Sequence, residues 1–121
     1  MAEIQLGVVE ARFADIIWEN EPVSSSALVK LAGEQLQWKR TTVHTVLRRL
    51  CDKGLFQNDN GTVTALISRD RFYSMQSEQF VQTAFQGSFP AFLAAFSRSR
   101  PLTQAERDLV RQMIDGAEDE S

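Results

Sequence analysis

A two-residue signal in the middle of the chain, Asn60-Gly61, constrains the fold more than any other feature. Both residues tolerate positive φ, which a type I′ turn requires at its two central positions. The turn joins residues 55–58 to residues 62–67, the latter rich in β-branched side chains. A β-hairpin is therefore predicted in a chain whose other segments read as helix. Directly before it, residues 40–53 carry apolar side chains at helical spacing and end at Gly54. A glycine suits the left-handed residue that closes a helix, and Lys53 suits its negative end.

Two more helices are predicted upstream. Leu6, Val9, Phe13, Ile16 and Ile17 recur at steps of three and four, which places them on one inward face. Ser24, Ser25 and Ser26 offer N-caps to a second helix that turns Leu28, Leu31, Ala32 and Leu36 inward. Three helices followed by a small hairpin is the order of a winged helix-turn-helix. That arrangement binds DNA in many proteins and serves as a protein-contact module in others.

The charge distribution bears on this choice. The net charge is −3, yet residues 37–71 carry seven cations against three acids, a local +4 in an otherwise acidic chain. Such asymmetry points to a polyanionic partner for the middle third. Composition narrows the rest. One Cys and one His supply neither an internal disulfide nor a four-ligand zinc site, and no metal or other cofactor is expected. No apolar run approaches the roughly 18 residues of a membrane span, and no leader is evident, so a cytoplasmic protein is expected. His44 and Cys51 sit about 10.5 Å apart along a helix axis, too far for a nucleophile and its base. No phosphate loop or nucleophile elbow occurs, so no enzyme is expected.

The third helix carries the candidate site. At 100° per residue, Val43, Val46, Leu47 and Leu50 share the core face. The opposite face holds Thr41, His44, Thr45 and Arg48, with Thr42 and Arg49 on its flanks. Arg48 can bond guanine O6 and N7 in bidentate fashion, and His44 and the threonines can meet base edges or thymine methyls. Lys39 and Arg40 stand at the helix N-terminus, where free N–H groups and the dipole attract phosphate. Arg49, Lys53, Arg69 and Arg71 are predicted phosphate contacts. The alternative is a basic patch that meets an acidic protein.

The final third reads as three helices: one from Ser68 to about Gln86, a short one capped by Ser88, and a last one over residues 104–115 ending at Gly116. Six of the eight Phe lie between positions 72 and 96. Either these helices fold back on the first domain or they pack against a second copy; the second arrangement is the expectation. Phe80, Phe85, Phe89, Phe92, Leu93, Phe96, Leu109 and Met113 would form the dimer face. Residues 1–68 are expected to be the DNA-binding domain, residues 69–116 the dimerisation domain, and residues 117–121 a disordered acidic tail.

Residues 41–50, Thr-Thr-Val-His-Thr-Val-Leu-Arg-Arg-Leu, followed by Lys53-Gly54-Leu55, resemble the penicillinase-repressor family of winged-helix regulators, as do Leu6, Glu10 and Ile17-Trp18. The resemblance covers residues 6–115. It implies a homodimeric repressor on a palindromic duplex operator, relieved when a membrane sensor or signalling protease acts. In the antibiotic-responsive branch the repressor is cleaved in its dimerisation domain, and the equivalent bond here is Ala95-Phe96, with Ala95 in place of that branch's asparagine. The wing tip, Asp59-Asn60-Gly61, carries no cation. The copper-sensing branch has paired cysteines that this chain lacks, so copper sensing is not implied.

Overall fold

A computed structural model describes residues 6–120, with side chains described to residue 116. The chain is mainly helical and divides into two compact units, one up to Ser77 and one from Glu78 onward.

The first unit comprises α1 (Val8–Asn20), β1 (Val23–Ser24), α2 (Ser25–Leu36), α3 (Arg40–Asp52), β2 (Phe56–Asp59), β3 (Thr62–Ala65) and the first turns of α4 (Arg69–Phe85). Local chemistry sets the boundaries. Glu10 accepts a hydrogen bond from the Gly7 N–H at 3.1 Å and anchors the start of α1. Ser24 caps α2, its Oγ accepting from the Ala27 N–H at 3.1 Å. Gly54 adopts φ 86° after α3, and the Leu55 N–H returns to the Leu50 carbonyl. Asn60 and Gly61 have φ of 51° and 90°, as the type I′ turn requires, and the Asn58 side chain accepts from the Gly61 N–H.

The sheet has three antiparallel strands in the order β1-β3-β2, with Val23 opposite Val63 and Phe56 opposite Ala65. The hairpin was expected; β1 was not. Two residues show no periodicity, and β1 exists only because Val23 finds a partner forty positions on. Phe13, Ile17, Leu28, Val43, Leu50, Leu55, Phe56 and Val63 fill the core between the helices and the sheet. The predicted inward stripe of α3 is buried at all four positions. Val9 departs from expectation: it is 52% exposed, because α1 starts at Val8 and its first turn reaches past the core. Trp18 ties the parts together, donating from Nε1 to the Ile67 carbonyl at 3.0 Å and lying against Phe56 and Phe72.

The second unit contains the remaining turns of α4, α5 (Phe89–Ser99) and α6 (Gln104–Glu120). Gln86 and Gly87, with φ of 55° and 83°, end α4. Ser88 caps α5 through the Ala91 N–H. Thr103 and Glu106 form the predicted capping box, each side chain accepting the other's N–H at 3.1 and 2.9 Å. α6 does not stop at Gly116. That glycine lacks the left-handed φ of a terminator, so the helix, expected to end there, continues through residue 120. Ser121 lies outside the described residues.

Candidate nucleic-acid interface

The site is built on the outer face of α3. Burial of Val43, Val46, Leu47 and Leu50 fixes the helix's rotation, so Thr41, Thr42, His44, Thr45, Arg48 and Arg49 are all exposed. Trp38, in the turn between α2 and α3, packs on Phe13 with ring centroids 5.1 Å apart and sets the point from which α3 departs. Lys39 is the N-cap of α3 and makes no side-chain cap bond. By contrast α2, α4, α5 and α6 each begin under a Ser or Thr oxygen. The start of α3 therefore has no side-chain cap beside Lys39 and Arg40, an arrangement suited to an anion.

The predicted cations fall into two sets. Among the described residues, Lys39, Arg40, Arg48 and Arg71 make no ion pair. Arg49 and Lys53 instead meet one carboxylate of α1: Glu10 Oε2 lies 3.4 Å from Arg49 Nη1 and 3.6 Å from Lys53 Nζ. Arg69 meets Asp15 at 3.3 Å and lies over the Tyr73 ring. The Gly7 N–H bond, with Lys53 and Arg49 beside it, holds the Glu10 carboxyl below its ordinary value against the opposing effect of burial. Glu10 and Asp15 were not anticipated as members of the patch. Their one signal in the sequence is the acidic first third facing a basic middle third.

Thr45, exposed, donates its hydroxyl hydrogen to the Thr41 carbonyl at 2.9 Å. Cys51 is half-buried, and burial, with Asp52 nearby, pushes its thiol up, away from reactivity.

The predicted dimer residues all lie in the second unit. Phe92 is their hub, with Phe80, Phe85, Phe89 and Phe96 at centroid distances of 5.6–6.2 Å. These rings meet although α4 and α5 are separate helices and not one continuous rod. Among the described residues from Glu78 onward no side chain is fully buried. Leu109 is 54% and Met113 63% exposed. Leu93 joins Phe89, Phe92, Phe96 and Leu109 along a shallow apolar groove. Ala95 and Phe96, at the bond considered for cleavage, lie inside α5.

Residues 6–116 match the penicillinase repressor family. Among individual proteins, the chain is 23% identical to the methicillin resistance regulatory protein MecI of Staphylococcus aureus, over 91% of this chain and 93% of that protein. It is 22% identical to the penicillinase repressor of Bacillus licheniformis, over 92% of this chain and 90% of that protein. With a family match over nearly its whole length and a winged helix ahead of further helices, the chain belongs to the penicillinase repressor family.

Proposed function

We propose that the protein is a transcriptional repressor that binds a palindromic DNA operator in the cytoplasm as a homodimer. One observation carries the DNA reading: α3 offers an exposed face of Thr41, His44, Thr45 and Arg48, and its uncapped N-terminus is flanked by Lys39 and Arg40. Arg48 and His44 would read base edges; Lys39 and Arg40 would meet phosphate. A two-fold pair would present two such helices about one DNA turn, roughly 34–36 Å, apart. On this reading residues 1–68 bind DNA. Residues 69–116 pair through Phe80, Phe89, Phe96, Leu109 and Met113, large apolar side chains that stay exposed among the described residues.

Relief by a signalling protease is part of the proposal. A peptide bond inside a helix must open before a protease can hold it, and α5 has no fully buried side chain to resist that opening. Selection of bound duplexes from a random DNA pool, with sedimentation of the same sample, tests the whole reading. A dyad-symmetric consensus and a dimer mass are expected. Equal, weak retention of all sequences would refute it and favour the protein-contact alternative.

A further inference from the structure

Three cations of the basic middle third do not face solvent unopposed. The carboxylate that holds two of them, Glu10, is itself fixed: its side chain is only 19% exposed and is fastened by the Gly7 N–H. Arg49 and Lys53 are the more exposed partners, at 52% and 30%. The anion is therefore the rigid member, and the cations come to it. A cation that leaves Glu10 for a phosphate strands a partly buried carboxylate. Resting on the DNA reading above, we propose that Glu10 is a positioning residue for specificity: by holding Arg49 and Lys53 it limits the number of phosphates the protein grips and so restrains binding to non-cognate DNA.

Counterion release makes this measurable. Each phosphate neutralised adds about 0.9 to the slope of log affinity against log salt. Glu10 carries a single charge, so Arg49 and Lys53 together should add about one phosphate to the parent's slope and not two. Glu10→Gln keeps an oxygen for the Gly7 N–H but drops the charge that offsets one cation. With random-sequence duplex DNA, its slope should steepen by about 0.9. Affinity should then fall roughly three- to fourfold more than the parent's between about 50 and about 200 mM salt. The ratio of selected-operator to random-sequence affinity at low salt should drop. In a background of Arg49→Gln with Lys53→Gln, adding Glu10→Gln should change neither slope nor ratio, which separates the removal of a hold from a general loss of negative charge. Arg49→Gln with Lys53→Gln should lower the parent's slope by about 0.9 and not by about 1.8, and this arm does not depend on how Glu10→Gln folds.

An unchanged slope in Glu10→Gln, an equal steepening in the doubly substituted background, or a loss of about 1.8 on substituting both cations overturns the inference while parent binding stands. A parent that binds no duplex at low salt overturns the DNA reading and this inference with it.

Discussion

Arg48→Ala would remove the most informative side chain of the proposed reading face while leaving the fold alone. Arg48 is exposed and makes no ion pair among the described residues, so its truncation should shift stability by no more than about 0.5 kcal/mol. In a complex, one bidentate Arg–guanine contact is worth about 1–3 kcal/mol of discrimination. A two-fold dimer loses it twice, so operator affinity should fall by about 2–6 kcal/mol, roughly thirtyfold to twenty-thousandfold. Fluorescence anisotropy on the selected operator, and on duplexes changed at one base pair in each half-site, reads this directly. The loss should be confined to one position of the half-site. Arg48→Lys sharpens the test, since lysine keeps the charge but not the planar fork: the salt slope should persist and the base preference should not. If Arg48→Ala binds the operator as tightly as the parent, α3 does not read DNA through this face. If it weakens all sequences equally, Arg48 grips phosphate and the base is read elsewhere.

Other consequences are separable. Met113→Glu, at a position 63% exposed, should yield monomers with reduced operator affinity, seen by equilibrium sedimentation; an unchanged dimer would remove α6 from the interface. Met113 is a cleaner probe than Phe92, whose ring organises its own unit and whose loss would disturb folding as well. Bonded to Arg100 at 2.8 and 3.0 Å and to the Thr103 N–H, Glu106 has its carboxyl held down to about 2 from an ordinary 4.5. With the folded value depressed, the cap's contribution is complete above pH 4.5 and is lost as pH falls through about 2; an NMR titration midpoint near 4.5 would disprove the clamp. Leu50→Ala, at a fully buried position, should cost about 2–5 kcal/mol in denaturant unfolding, and a cost below 1 would mean the core face of α3 is misassigned.

What the sequence disclosed and what it hid divide by distance along the chain. The Asn60-Gly61 turn, the Gly54 cap, Ser24, and the Thr103–Glu106 box are all decided within four residues, and each stands where it was predicted. The buried stripe of α3 follows from helical periodicity and also dictates which side faces out. Pairings between distant segments were not legible. β1 depends on Val63, and Glu10 finds Arg49 thirty-nine positions away. Val9 fits the periodic pattern of α1 as well as Phe13 does; only the packed core shows that one of them has nothing to bury against. Gly116 shows the converse error, because a glycine terminates a helix only where the backbone turns left-handed.

The short strand β1 also sets an order in time. The β2–β3 hairpin closes around two residues, an event of about 1–10 μs. Pairing Val23 with Val63 must instead close a loop that holds α2 and α3 entire, at a larger entropic cost. The clasp is thus expected to fasten late, after the two helices and the hairpin have formed. Because Gly61 also accepts from the Ser25 N–H at 2.8 Å, the same late step joins the hairpin's turn to the start of α2. Amide exchange at Ser25 should then report on the last event in the first unit's assembly and the first in its unravelling.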